Sequence, residues 1–403
     1  MVKAAPSFEL MAPSNSHPFN AESLLATLQA RGLRVVLITA GGGSAAIPAL
    51  VALPGASAVV LEAVVPSARE ATDALLGGPQ ESYCSSRAAR RLAMAAWERC
   101  RRHGAAIDSA VGVACTASLA TTVPKRGDHR IVVAVQTLGE TSVATLGLMK
   151  GARSRSEEET IAAAFILARI GAVVGSSSLA EEHLAPLLRP GEEMIVDRAP
   201  APEAWQAILA GTSGRVRLAG PDGGLLPGRP GREAIFPGSF DPLHDGHRAM
   251  ARIGARITGL PVAYELSIRN VEKPALDYLE IATRARGFDG AEAWLTSAPT
   301  FVEKIALFPG APFLVGADTF VRLGNPRYSG GSIDHAAAAV ARIADESGGL
   351  IVFGRVRDGQ FTEPSRLEAP QALRAIARFV TEEEFRRDIS STNLRQAREP
   401  ATE

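Results

Sequence analysis

Apolar residues recur in two alternating patterns along the first half of the chain. Short apolar runs, as at residues 33–38 and 129–136, are typical of buried strands. Segments with apolar residues at helical spacing alternate with them, as at 86–102 and 157–170. This alternation predicts a layered α/β domain over residues 20–180.

The same alternation returns later in the chain, after a change in composition. Residues 181–232 are rich in Gly and Pro and predict a linker with short elements, namely a helix at 203–209 and a strand pair around Val216 and Leu225. Residues 233–396 predict a second α/β domain. Its expected strands are 234–236, 262–268 and 312–316, and its expected helices begin near 247 or span 334–346 and 370–378.

Composition narrows the class of protein. The 403 residues are enough for two domains, and 43 basic residues against 43 acidic ones leave no net charge to attract nucleic acid or a membrane. Three cysteines without paired spacing favour reduced thiols over disulfides or a zinc site. No signal peptide or membrane-spanning stretch is recognisable. We therefore expect a cytoplasmic protein, and a homo-oligomer remains open.

The most informative stretch is Ile-Phe-Pro-Gly-Ser-Phe-Asp-Pro-Leu-His-Asp-Gly-His at 235–247. An apolar strand end enters a Gly-Ser turn, and His244 and His247 then stand three residues apart at the start of a predicted helix. Backbone N–H groups, the positive helix end and two imidazoles would face one point. The pattern predicts a binding site for a polyphosphate.

This stretch resembles the first signature of the nucleotidylyltransferase superfamily, and residues 389–395 (Ile-Ser-Ser-Thr-Asn-Leu-Arg) resemble the second. Residues 315–320 (Val-Gly-Ala-Asp-Thr-Phe) look like the Gly-Ala-Asp strand end of the nicotinate and nicotinamide mononucleotide adenylyltransferases. Asn270, and Lys273 before a proline, match a further piece of that subgroup. Together the matches cover residues 233–396. Two signatures in the expected order are a stronger signal than one His-x-x-His.

The resemblance implies a Rossmann-like fold with a parallel sheet, and transfer of AMP from ATP to nicotinamide or nicotinate mononucleotide with release of pyrophosphate. Such in-line transfer requires oriented reactants and stabilised phosphoryl charge. Mg²⁺ would enter with ATP, held by triphosphate oxygens and water, so no dedicated metal ligands are expected. The implied residues are His244, His247 and Arg395 for catalysis, Asn270 and Lys273 for the acceptor, and Gly238, Ser239, Phe240, Asp241, Gly246, Gly316, Asp318, Ser391 and Thr392 for the nucleotide.

Several of these residues also have a purely structural interpretation. Ser391 and Thr392 could cap a helix, Asp318 could cap a strand end, and Lys273 could be surface charge. One histidine near a helix start is usually a capping or surface group. Two histidines within this motif favour phosphate binding instead.

Part of the first domain also matches a known family. The matching stretches are 54–57, 62–65, 112–116 and 125–127. They resemble the C-terminal domain of the competence- and damage-inducible proteins, a family that includes nicotinamide-nucleotide amidases. That family has Glu-Ser-Cys-Thr-Gly-Gly after its first strand, whereas this chain has Thr-Ala-Gly-Gly-Gly-Ser at 39–44. Because Ala40 carries no nucleophile, we predict that the amidase activity is lost.

Two features of the first domain leave alternatives open. The glycine turn at 41–43, followed by Ser44 as a predicted helix cap, is either a tight turn or a phosphate site. Lys125, Arg126, Asp128 and His129 form either a ligand loop or a solvated charge run, and the second interpretation is slightly favoured.

The favoured function is adenylyl transfer from ATP to nicotinamide or nicotinate mononucleotide, with no nucleic acid or membrane as partner. A second hypothesis is a cytidylyl or adenylyl transferase for another phosphate or alcohol acceptor. A third, from a different class, is a nucleotide-binding regulatory protein without turnover.

Overall fold

Two large β-sheets with helices on both faces organise the chain. The computed structural model describes residues 21–123, 125–176, 183–219, 224–226, 232–328, 331–357 and 360–386. The fold class is α/β, as predicted, and both sheets contain parallel strands. None of the helices in these ranges is long and apolar enough to cross a membrane.

Six strands build the first sheet. They are β1 (Arg34–Ala40), β2 (Val60–Val64), β3 (Ala110–Ser118), β4 (His129–Gln136), β5 (Glu140–Leu148) and β6 (Met194–Pro200). Their spatial order is β2-β1-β3-β4-β5-β6. β1 pairs in parallel with β2 and β3, and the remaining neighbours are antiparallel.

Five helices accompany this sheet. They are α1 (Ala21–Ala30), α2 (Ala46–Val51), α3 (Arg69–Leu76), α4 (Ser86–Arg102) and α5 (Arg155–Val173). Side chains alternate across a strand, so Val35 and Leu37 of β1 pack with α1, α2 and α5, whereas Val36 and Ile38 pack with α4. Both faces of this sheet are therefore buried, which explains the continuous apolar runs.

The second sheet has eight strands. They are β7 (Arg215–Ala219), β8 (Gly224–Leu226), β9 (Ala234–Pro237), β10 (Val262–Ser267), β11 (Ala293–Thr296), β12 (Phe313–Gly316), β13 (Leu350–Phe353) and β16 (Ala377–Val380), while β14 (Arg355–Arg357) and β15 (Gln360–Thr362) form a separate hairpin. The order is β16-β13-β12-β9-β10-β11-β7-β8. Six neighbouring strands of this sheet are parallel: β11, β10, β9, β12, β13 and β16. Numbered by their order in the chain, they have the arrangement 3-2-1-4-5-6 of doubly wound nucleotide-binding sheets.

The remaining helices lie around the second sheet. They are α6 (Glu203–Ala210), α7 (Asp245–Thr258), α8 (Tyr278–Gly287), α9 (Phe301–Leu307), α10 (Ala317–Leu323), α11 (Ile333–Glu346) and α12 (Gln371–Ala375). Short 3₁₀ turns occur at Ala56–Ala58, Ala185–Leu187, Pro326–Tyr328 and Pro364–Arg366. Residues 21–200 are called the first half below, and residues 203–386 the second half.

Helix α4 packs against elements of both halves. Its Leu92 and Trp97 belong to one continuous apolar cluster with Ala134 of β4 and with Phe236 and Tyr264 of the second sheet. All five side chains are buried. The halves therefore share one apolar cluster. The predicted division at residues 181–232 stays a prediction.

Two local predictions are wrong. The helix expected at 370–378 ends at Ala375, and Ala377–Val380 is an edge strand of the second sheet, because pairing with β13 outweighs the helical spacing of its apolar residues. Ser44 does not cap α2, whose N-cap is Ala45. The Ser44 hydroxyl instead donates a 2.9 Å hydrogen bond to the Glu159 carboxylate.

Candidate functional site

The candidate site lies where the strand order of the second sheet reverses. β9 is flanked by β10 on one side and β12 on the other, and both neighbours are parallel to it. Loops that leave the carboxyl ends of such strands diverge and open a crevice between them. Three loops follow these strands: the motif loop (residues 238–244) after β9, the segment with Asn270 and Lys273 after β10, and the start of α10 after β12. The predicted groups thus share one edge of the sheet.

A buried aromatic ring anchors the motif loop. Phe240 has a positive φ of 44°, which is strained for a residue other than glycine. Its side chain, 2% exposed, packs edge-on against the rings of Phe236, His247, Tyr264 and Phe288 at centroid distances of 5.2–5.5 Å. These contacts hold the backbone in its strained conformation. Phe240 is therefore a structural part of the site rather than a group open to a ligand.

Gly238 has a packing role in the motif loop, and its predicted contact with the nucleotide stays a prediction. A Cβ there would lie 2.6 Å from Cζ of Phe240, so the space beside Gly238 is occupied by the ring. Its backbone N–H donates a 3.0 Å hydrogen bond to the carbonyl of Glu265 on β10. The glycine thus allows the loop to close over Phe240 at the end of the strand.

The two histidines of the motif stack on each other at the start of α7. His244 is the N-cap, with extended backbone, and its ring centroid lies 3.8 Å from that of His247 at an interplanar angle of 24°. The backbone N–H of His244 donates a 3.3 Å hydrogen bond to Nδ1 of His247. Gly246 permits this packing, because a Cβ there would be 2.9 Å from the His244 ring.

Burial keeps both imidazoles neutral near pH 7. It lowers the pKa of His247 to about 3, with a smaller contribution from His244, and it also lowers the pKa of His244. A backbone N–H can only donate, so Nδ1 of His247 must be the acceptor in the pair with His244. The proton of the neutral ring is then on Nε2, which makes Nε2–H a hydrogen-bond donor.

The predicted site residues at the end of β12 and just after it are Gly316 and Asp318. Gly316 has no atom within 4 Å of the position of a Cβ, so there is free space at the end of this strand. Asp318, on the first turn of α10, forms an ion pair with Arg355 of the β14–β15 hairpin. Both side chains are more than two-fifths exposed. The carboxylate is thus held by a surface pair beside that space.

The predicted acceptor residues lie on an exposed loop after β10. Oδ1 of Asn270 accepts a 3.0 Å hydrogen bond from the backbone N–H of Glu272, so part of its hydrogen-bonding capacity stabilises the turn. Lys273 follows on the same loop and is exposed. The second signature, with Ser391, Thr392 and Arg395, lies outside the described residues, and its roles stay predictions.

Sequence reasoning missed two arginines that contact the motif loop. Nη2 of Arg87, on α4, lies 2.6 Å from Oδ2 of Asp241, and Nη2 of Arg284, on α8, lies 3.6 Å from the same oxygen. Arg284 also donates a 2.9 Å hydrogen bond to the carbonyl of Ser239. Arg87 precedes Asp241 by 154 positions. No local pattern signals such a contact.

In the first half, the interpretation of residues 125–129 as a solvated charge run is wrong for His129. Its side chain is buried and Nδ1 lies 2.7 Å from Oε1 of Glu158, itself fully buried. The other oxygen of Glu158 accepts a 2.6 Å hydrogen bond from the backbone N–H of Ala120. Lys125 donates to the hydroxyl of Ser118 at 2.8 Å. The loop is thus held by polar contacts to helix α5 and to strand β3.

A cleft of about 800 Å³ lies away from the candidate site. It is lined at the amino ends of the parallel strands by residues such as Ile235, Leu350 and Ile376, whereas the motif loop leaves the carboxyl end. Among the described residues, no group of three or more His, Cys, Asp or Glu side chains is arranged to hold a metal ion.

Comparison with known proteins gives a likeness in fold for part of the chain. No protein-family model and no curated protein matches it. Solved structures of a competence/damage inducible protein from Agrobacterium tumefaciens and of the competence damage-inducible protein A from Klebsiella pneumoniae are each 20% identical, cover 39% of this chain and have a TM-score of 0.32. The match spans 92% and 98% of those chains.

A competence-damaged superfamily protein from Enterobacter cloacae is 15% identical, with a TM-score of 0.34, over 42% of this chain and 99% of its own. About two-fifths of the chain is therefore similar to competence- and damage-inducible proteins. At these identities the likeness concerns the fold alone, and no residue role follows from it.

Proposed function

We propose that the chain is a nucleotidylyltransferase that transfers AMP from ATP to nicotinamide or nicotinate mononucleotide and releases pyrophosphate. The observation that carries the proposal is the pair of neutral, stacked imidazoles of His244 and His247 at the start of α7, beside the switch point of a doubly wound sheet. The motif that places them there resembles the superfamily signature.

The reaction is an in-line attack of an acceptor phosphate oxygen on the α-phosphorus, with pyrophosphate as the leaving group. In this proposal Nε2–H of His247 donates to an oxygen of the α-phosphate, and the backbone N–H groups at the start of α7 face the same charge. A neutral imidazole suits this task, because it donates a hydrogen bond without a buried charge in the free protein. Mg²⁺ would enter on the triphosphate oxygens.

The assignment of the acceptor is supported by fewer contacts than the assignment of the nucleotide. Asn270 and Lys273 are exposed, and Oδ1 of Asn270 is already bonded within its turn. A second candidate for the same centre is a cytidylyl or adenylyl transferase for another phosphate or alcohol, since these contacts do not single out a pyridine mononucleotide. A nucleotide-binding regulator without turnover is the alternative from a different class.

Pyrophosphate release with a matrix of triphosphates and acceptors tests these alternatives. ATP and CTP are each combined with nicotinamide mononucleotide, nicotinate mononucleotide, phosphocholine, glycerol phosphate and phosphopantetheine. We expect release only with ATP and a pyridine mononucleotide. Release with another pair supports the second candidate, and tight ATP binding without release from any pair contradicts the enzyme proposal.

The same preparation tests the first half. Ala40 stands where the amidase family has a serine, and the neighbouring Gly41–Gly43 turn carries no nucleophile. We therefore expect no ammonia release from nicotinamide mononucleotide. Robust release would contradict our interpretation of this turn.

A further inference from the structure

We propose that Arg87, on helix α4 of the first half, is a positioning residue for the motif loop of the second half. The catalytic consequence rests on the proposed nucleotidyl transfer, whereas the positioning itself does not. The first half would thereby form part of the nucleotide site, although its own amidase-like residues are missing.

Two guanidinium groups hold the motif loop at two points. Arg87 lies 2.6 Å from the Asp241 carboxylate, and Arg284 lies 3.6 Å from the same carboxylate and bonds the carbonyl of Ser239 at 2.9 Å. Phe240, between the two held residues, has the strained φ of 44°. A strained conformation persists only where its surroundings fix it, so both anchors contribute to the loop geometry.

Arg87 is the closer and less shared of the two anchors. Arg284 is also bound at 2.8 Å to Glu280 on its own helix, whereas Arg87 is 4.0 Å from that carboxylate. Asp241 stands three residues before His244, so a shift of the Asp241 backbone moves the N-cap of α7. Displacement of a reacting group by about 1 Å can lower a rate 100-fold.

The first half also borders the neighbouring loop at this edge. Gly77, at the C-cap of α3, has a φ of 70°, and a Cβ there would overlap the carbonyl oxygen of Glu272. Glu98 of α4 accepts a 3.0 Å hydrogen bond from the backbone N–H of Ala275. Contacts from one half to two adjacent loops indicate that it shapes this edge of the sheet.

The test compares Arg87→Gln with two matched controls on the same helix. Arg90 forms an ion pair with Asp277 across the same interface but does not touch the motif loop, and Arg99 pairs with Glu62 inside the first half. Hydrogen–deuterium exchange of the peptide 238–247 is measured in each ligand-free protein. We expect exchange at least about tenfold faster in Arg87→Gln and little changed in Arg90→Gln and Arg99→Gln.

Kinetics give the second readout. Arg87→Gln should lower kcat about tenfold or more, with a smaller change in KM for the acceptor, because the altered geometry affects the reacting phosphate. Arg87 contacts Asp241 through one nitrogen, so Arg87→Lys should restore most of the activity. An interaction in a double-mutant cycle with Asp241→Asn would show that the two side chains act as a pair.

The two readouts separate the two proposals. If the exchange responds to Arg87 but no variant or wild-type protein releases pyrophosphate, the positioning stands and the proposed reaction fails. If wild-type protein is active but exchange in peptide 238–247 is unchanged in Arg87→Gln, or rises equally in Arg90→Gln, the positioning role is refuted. If Arg87→Gln lowers only the free energy of unfolding and leaves kcat unchanged, the positioning role is also refuted.

Discussion

The phenolic hydroxyl of Tyr278 donates a 2.6 Å hydrogen bond to the backbone carbonyl of Leu138, across the contact between the two halves. The backbone N–H of Tyr278 donates a second one, of 3.0 Å, to the hydroxyl of Thr141. The Tyr278 ring is 1% exposed. The first residue of α8 is thus bonded twice to the turn between β4 and β5 and the start of β5.

Removing the hydroxyl with Tyr278→Phe should weaken this contact. The carbonyl of Leu138 would lose its partner in a partly buried setting, at a cost of about 1–2 kcal/mol in the free energy of unfolding. Urea denaturation measures the change. Tyr83→Phe is the control, because its hydroxyl bonds Asp73 within the first half. An equal loss in both variants would contradict a special role for the contact between halves.

His247→Ala should lower kcat by ~10²–10³, the effect that removal of a preorganised transition-state donor typically has. The measurement is pyrophosphate release at saturating ATP and acceptor. His335→Ala serves as control, since His335 is exposed on α11 away from the motif. An unchanged rate in His247→Ala would mean that the motif is not the reaction centre.

Burial of neutral His247 makes the protein less stable in mild acid. The folded pKa of about 3 lies below the ordinary 6.5, so the unfolded chain binds a proton that the folded protein does not, and stability falls as the pH drops from 6.5 toward 3. The contribution of one such group is at most about 1.4 kcal/mol per pH unit. In His247→Gln the free energy of unfolding should therefore depend less steeply on pH, by up to this amount.

Urea unfolding at pH 7, 6 and 5 checks that slope. His335→Gln, on the exposed surface, should keep the dependence of the wild-type protein. Parallel curves for wild type and His247→Gln would show that the ring is protonated in the folded state, and that Nε2–H is not its sole donor.

Gly77→Ala should cost more stability than Gly104→Ala. Both glycines have positive φ, 70° and 86°, so each substitution introduces left-handed strain of about 1–2 kcal/mol. A Cβ at position 77 would also overlap the carbonyl oxygen of Glu272. A Cβ at position 104 would have no atom within 4 Å. Chemical denaturation of both variants isolates the second effect. Similar losses of stability in the two variants would show that the loop containing Glu272 moves aside without an energetic cost.

Much of the fold could be predicted from local patterns. Helix α4 and strand β4 have the bounds that the spacing of apolar residues predicts, and the motif does precede a helix that begins beside its two histidines. β5 (Glu140–Leu148) was not predicted, and neither was the strand at 377–380. The strand at 377–380 is stabilised by pairing with β13, and β5 by pairing with the adjacent β4 and the distant β6. Single-sequence patterns do not contain that pairing information.

The candidate site was only partly predictable. Spacing identified His244 and His247, but not the tautomer of His247, which depends on burial and on one backbone hydrogen bond. Arg87 could not be found, because its contact with Asp241 depends on how the halves pack. One signal was overlooked: alanine-rich α4 buries residues around most of its circumference, as expected for a helix packed on two sides.

That helix also has a consequence for how the protein can vary. Leu92 and Trp97 belong to an apolar cluster that includes residues of both sheets, so a change of volume in this cluster disturbs the packing of both halves. Excising the first half would leave the apolar surface that it covers on the second half open to water. The first half therefore contributes to the packing of the second half independently of any reaction of its own.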